Sequence, residues 1–162
     1  MADNFKNSNS GAQPPKQPQR SINPCNPPCE DVPNFFTGDY VADAEKMVND
    51  NKPRFTELTT TKMMSFLTLV NSLNNNLLLE KANMSSGEAN DAFSEAQQEQ
   101  FYAIKVRMVF ETRDLDVKFF LEQTELLNGL DHIASSKAKF KRYVRYLEAL
   151  VAYHRYYGGK EQ

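Results

Sequence analysis

Residues 140–159 read FKRYVRYLEALVAYHRYYGG, and this stretch decides the fold. The positions suited to burial are Phe140, Tyr143, Val144, Leu147, Leu150, Val151 and His154. Their spacing of three and four residues marks one face of an amphipathic helix. The pair Gly158-Gly159 stops that helix where a left-handed cap costs little strain. The other faces carry Lys141, Arg142, Arg145 and Arg155, interleaved with Tyr146, Tyr153, Tyr156 and Tyr157. Cations and phenols beside a buried face suit a phosphate backbone. They equally suit a solvated face that binds nothing, so spacing alone leaves both readings open.

Upstream the pattern is helical as well. A short helix runs from Asp39, its N-cap, to about Asn51, and Pro53 ends it. A second starts after Thr59-Thr60-Thr61, with Met63, Phe66, Leu67, Val70, Leu73, Leu77 and Leu78 as a buried stripe. Asn74-Asn75-Asn76, poor helix formers, mark a place for it to fray or break. Ser85 and Glu88 have capping-box spacing, which opens a third helix from about Gly87 to Thr112. Its core candidates are Phe93, Ala96, Phe101, Ile104, Met108 and Phe110. A fourth runs from Asp114 to Asn128 with Leu115, Phe119 and Leu126; Gly129 and Asp131 punctuate a linker, and Ser135 or Ser136 caps the fifth. No Val/Ile/Thr alternation bounded by turns signals a strand. The expected fold is all-α: one bundle of about five helices over residues 39–162, with short connections. Residues 1–38 hold seven of the eight prolines, with Asn, Ser and Gln between them. They bury too little apolar surface to offset ordering entropy and read as a disordered tail. Phe35, Phe36 and Tyr40 mark where the chain docks onto the domain.

Composition narrows the function. The 162 residues are 40% hydrophobic with net charge −2, less basic than a free-standing, non-specific nucleic-acid binder. The total hides an asymmetry. Residues 88–100 carry Glu88, Asp91, Glu95 and Glu99 and no cation, a pole suited to a basic partner. The last helix carries Lys137, Lys139, Lys141, Arg142, Arg145 and Arg155 against Glu148 alone. No membrane span or secretory signal appears, so the expected compartment is the cytoplasm. Cys25 and Cys29 offer two soft ligands where a structural zinc needs four, so neither metal nor cofactor is expected. No Gly-X-Ser-X-Gly and no Gly-rich phosphate loop is present, and His154, among tyrosines on the apolar side, reads as a packed histidine instead of a base. An enzyme is not expected.

Three segments together carry a family resemblance. They are Phe140-Lys141-Arg142-Tyr143 with Leu147 to Tyr153 and Tyr157-Gly158-Gly159, then Leu58-Thr59-Thr60-Thr61-Lys62, then Ile104-Lys105-Val106-Arg107 with Phe110 and Arg113. In this order-preserving pattern over about residues 40–160 the chain resembles the small subunit of the Csm complex, the type III-A CRISPR effector. The resemblance implies a non-catalytic helical protein that stacks with copies of itself in the inner filament of a ribonucleoprotein. Its implied neighbours are the guide RNA, the target RNA, the backbone subunits and the large polymerase-cyclase subunit. It implies RNA contacts at Lys62, Lys105, Arg107, Arg113, Lys141, Arg142 and Arg145. Met63 and Met64 stand where relatives often carry a second basic residue after Lys62, and the tail has no counterpart. Tyr153, Tyr156 and Tyr157 are the candidates for a protein interface. The rival reading is a helical scaffold whose tyrosines bind protein and whose cations are rim.

Overall fold

The C-terminal helix forms as its spacing predicts. It spans Lys137–Tyr156 (α7), and all seven positions of its inward face are buried. Tyr146, which the spacing places outside that face, is buried with them. The helix ends at Tyr157, and Gly158 takes the left-handed conformation at φ +88° that a side chain would strain. The computed structural model describes residues 32–83 and 90–160. The tail up to residue 31, with Cys25 and Cys29, and the Ser85/Glu88 pair lie outside them.

A 3-10 turn at Asn34–Phe36 leads into α1 (Tyr40–Asp50), α2 (Lys52–Phe55), α3 (Thr60–Asn83), α4 (Glu95–Glu111), α5 (Leu115–Gln123), α6 (Leu126–Ile133) and α7. The fold is all-α; among the described residues the one departure is an isolated bridge between Ala92 and Ser136. α1, α3 and α6 pack on α7, and α4 lies against α3 and α6. Side chains close the centre between α4 and α7. The rings of Phe101 and Phe140 meet edge to face at 6.1 Å, and the Tyr143 hydroxyl lies 3.4 Å from Met108 Sδ.

Among the described residues two short helices raise the expected five to seven. Pro53 does end α1, but it also sits in the first turn of α2, where its missing N–H costs nothing. The fourth predicted helix breaks in two at Thr124-Glu125. There the buried Thr124 hydroxyl donates back to the Phe120 carbonyl at 2.7 Å, and Glu125 adopts φ +55°. Gly129 and Asp131 therefore stand inside α6, not in a linker. Gly129 has a packing reason: a methyl there would sit 2.6 Å from the Phe35 ring. α3 runs unbroken through Asn74-Asn75-Asn76. Leu73 is buried beneath them, and Asn76 donates to Gln100 of α4 at 3.0 Å. α4 begins at Ser94, not Gly87; Ser94 and Gln97 form a reciprocal capping box. Leu78, Ala96, Phe110 and Leu115, expected in the core, are exposed.

Residues 34–38, which composition assigns to the tail, are part of the folded unit. Phe35 is buried and stacks on Tyr146 with centroids 4.2 Å apart and planes 9° from parallel. Burial pushes both the Tyr143 and Tyr146 phenols far above their usual range, so both rings stay neutral.

Two polar ties fix where α7 starts. Glu80 of α3 accepts from Gln97 of α4 and from Lys137 of α7, each at 2.9 Å. Asp91 caps α7 from outside. Its carboxylate accepts the Ser136 hydroxyl at 2.5 Å and the Ala138 N–H at 2.8 Å, while its carbonyl accepts the Lys137 N–H at 2.7 Å. The Ser136 and Ala138 bonds favour the ionised form and hold the Asp91 carboxyl below the ordinary range. A depressed folded pKa gives stabilisation that is complete above the unfolded value near 4 and lost as pH falls through the lower folded value. Asp91→Ala, which removes both side-chain bonds, should cost about 1 kcal/mol at neutral pH. It should also shrink the loss of stability below about pH 4. Urea unfolding at pH 7 and at acid pH checks both, and an unchanged midpoint at pH 7 would show that this cap contributes nothing.

Candidate nucleic-acid interface

The seven cations singled out in the sequence do not converge on one surface. Phe101 and Met108 of α4 point at Phe140 and Tyr143 of α7, so the solvent sides of these helices look in opposite directions. Lys105, Arg107 and Arg113 belong to the α4 side. Lys141 and Arg145 belong to the α7 side, on one stripe at i and i+4.

On the α4 side, carboxylates engage most of the cations. Lys105 pairs with Asp131 of α6, and Lys62 pairs with Asp114, the N-cap of α5. The Lys62 contact leads the causes that hold the Asp114 carboxyl below its ordinary range. Arg107 reaches Glu111 at 3.0 Å. Arg113 lies over the Phe110 ring at 4.4 Å, and Arg107 approaches the same ring at 5.7 Å. Arg54, which the sequence reading passed over, joins this end: it sits 3.9 Å from the Phe119 ring centroid and 3.7 Å from Asp116.

On the α7 side the pattern differs. Lys141 is exposed and lines a cleft of about 400 Å³ between α3 and α7, floored by Leu77, Leu78 and Ala138. Lys81 stands at the same cleft, and Lys137 is drawn to Glu80. Arg145 is exposed and pairs with Glu148 at 2.9 Å. Lys141 and Arg145 project from a helix whose far side is buried in the core.

Arg142 departs from the expected basic stripe. Its guanidinium turns along the protein and donates to the carbonyls of Phe35 and Gly38, with the Tyr40 ring 5.4 Å away. Those carbonyls belong to the turn that delivers Phe35 to its slot. In this geometry Arg142 is a clamp on the chain's own backbone. A lysine, with no planar fork, would not reproduce it.

The three tyrosines also separate. Tyr153 and Tyr157 pack on the core, their rings stacked at 6.4 Å, and the Tyr157 hydroxyl donates to Glu45 of α1 at 3.3 Å. Desolvation, with Glu45 nearby, raises both phenols. Tyr156 alone points outward, 79% exposed. His154 is buried, as its position among tyrosines suggests, with its Nε2 2.8 Å from the Phe55 carbonyl.

The sequence model of the family described as Csm2 Type III-A matches residues 38–160, from the end of the Phe35 turn to just past the Gly158 cap of α7. The chain belongs to that family. The CRISPR system Cms protein Csm2 of Streptococcus thermophilus is 32% identical over 127 residues, covering 75% of this chain and 93% of the relative. The protein of that name from Mycobacterium tuberculosis is 32% identical over 126 residues, 76% of this chain and 95% of its own length. The one from Enterococcus italicus is 29% identical over 125 residues, 72% and 84% respectively. The matched region of this Csm2 family member takes in α1 to α7, so the resemblance read from three short segments extends across all of them, while the Phe35 turn lies outside the match. Among the described residues no helix is long and apolar enough to cross a membrane.

The clamp predicts a stability effect where the sequence predicts an RNA contact. Phe35→Ala should cost about 3 kcal/mol through the emptied slot. Arg142→Ala should cost about 2 kcal/mol through the lost charge-assisted bonds. The double variant should lose less than the sum, because each substitution already frees the segment the other holds. Urea denaturation of the three variants measures this; additive costs would mean that ring and guanidinium act separately.

Proposed function

We propose that this chain is a non-catalytic small subunit of a type III-A CRISPR ribonucleoprotein that acts in antiviral defence in the cytoplasm. It stacks in repeated copies along the complex and steadies the guide–target RNA duplex through the basic stripe of α7. The backbone subunits and the polymerase-cyclase subunit are its neighbours. The family match across residues 38–160 carries the reading. The geometry supports the choice of surface. Lys62, Lys105 and Arg107 each face a carboxylate, which a phosphate would have to displace. Lys141 meets none among the described residues; Arg145, on the same stripe, is paired with Glu148 of its own helix, so the choice of surface rests on Lys141.

Such contacts read backbone and shape, and leave sequence to guide–target pairing. A net charge of −2 is compatible with this, because repeated copies along one duplex add modest contacts into a firm hold.

Lys141→Ala combined with Arg145→Ala should lower target-RNA retention by the assembled complex. It should also reduce the slope of log affinity against log salt by about 1.5 per copy engaged. Lys62→Ala with Arg107→Ala should change both quantities less. Filter binding at several salt concentrations, with assembly checked by gel filtration, measures this. An unaltered slope in the α7 pair would remove that stripe from the RNA surface.

A further inference from the structure

The Phe35 turn lies just ahead of the matched region, yet it takes hold of a cation on α7. Arg142 Nε donates to the Phe35 carbonyl at 2.5 Å, and a second guanidinium nitrogen donates to the Gly38 carbonyl. The turn that presents these carbonyls is itself held on two sides. The Phe35 ring fills the slot beside Tyr146 and Gly129. The Asn34 side-chain amide donates to both Asp43 oxygens of α1, at 2.8 and 2.7 Å.

Arg142 follows Lys141 directly and stands three residues from Arg145, so its base adjoins the α7 stripe. Its partners set it apart from the other cations. Lys62, Lys105 and Arg107 face carboxylates, which cancel their charge. Arg142 meets no carboxylate among the described residues and binds neutral carbonyls, so its charge is kept and only its donors are occupied. A phosphate is a stronger acceptor for a guanidinium than a carbonyl. The carbonyls hold Arg142 because the docked turn fixes them in place beforehand.

We propose that the Phe35 turn is an autoinhibitory contact. Docked, it withholds Arg142 from the α7 stripe; undocked, it adds Arg142 to the phosphate-binding surface. The inference rests on the reading that the stripe meets RNA, and it gives that site a means of adjustment. Linkage makes the effect reciprocal: RNA that captures Arg142 loosens the turn, and whatever draws the turn from its slot tightens RNA by the same factor.

Filter binding of target RNA to the assembled complex at several salt concentrations tests it. Arg142→Ala should leave the slope of log affinity against log salt at the wild-type value, because the cation removed was already withheld. Arg142→Lys keeps the charge without the planar fork that grips two carbonyls. It should steepen the slope by about 0.7 per copy engaged and tighten binding about three-fold or more at low salt. Phe35→Ala should do the same through the native arginine, and Phe35→Ala with Arg142→Ala should cancel the gain. Circular dichroism at the assay temperature checks that each variant is folded. If Phe35→Ala unfolds, Arg142→Lys decides alone, because it leaves the ring in its slot. A wild-type slope in Arg142→Lys, or in a folded Phe35→Ala, would overturn the proposal. So would a shallower slope in Arg142→Ala alone, which would place that cation on RNA already. Lys141→Ala with Arg145→Ala separates the two readings: a reduced slope there beside a flat Arg142→Lys sinks only the autoinhibition, whereas a flat response in both sinks the RNA surface with it.

Discussion

The inward face of α7 is shared by elements from both halves of the chain, and the remaining structure depends on that sharing. Phe140 receives Phe93 and Phe101, Tyr143 reaches Met108, and Tyr146 stacks on Phe35. α1, α3 and α6 pack around the same twenty residues. A helix used this way needs burial over more than half its circumference, and the aromatic rings at Phe140, Tyr143 and Tyr146 supply it. The polar ties then choose a register that hydrophobic burial alone leaves loose. Glu80 and Asp91 pin the first turn of α7, while the Phe55 carbonyl receives His154 near its last.

How much of this was legible in the sequence varies with the physics involved. Periodicity over many residues is a strong signal, so α7, α3 and the buried line of α4 could be read directly. The break at Thr124-Glu125 could not, because neither Gly nor Pro marks it; a buried hydroxyl turned to its own backbone and a left-handed glutamate do the work. The Phe35 turn was half legible. Its aromatic residues stood out as a docking point, but the prolines around them argued for a tail. Arg142 was not legible as a clamp, since a guanidinium bound to carbonyls and one bound to phosphate look alike in sequence. Phe110 shows the complementary limit: its type suits burial, yet its phase on α4 sets it beside Val106 on the outer side.

The family resemblance supplied what periodicity lacks, and the structure divides its basic residues by what each already holds. A cation facing a carboxylate is neutralised and must be released before it meets another anion. A cation on a rigid helix without such a partner is ready. That distinction, invisible in a count of lysines and arginines, separates Lys141 from Lys62 and Lys105. It also explains how a chain of net negative charge can present a locally positive ridge.

The Phe35 clamp has a consequence for how the molecule comes into being. Its two halves, the Phe35 carbonyl and the Arg142 guanidinium, are 107 residues apart. During synthesis the slot has no wall until α6 and α7 have left the ribosome, so the first aromatic anchor of the unit waits for nearly the whole chain. Closing so long a loop costs entropy before any contact compensates it, and contacts of such high sequence separation slow folding relative to helical bundles built from neighbours. Early folding is then left to local pairs such as α3 with α4 and α5 with α6. The join between the chain's beginning and its end comes late, as the step that makes the unit whole.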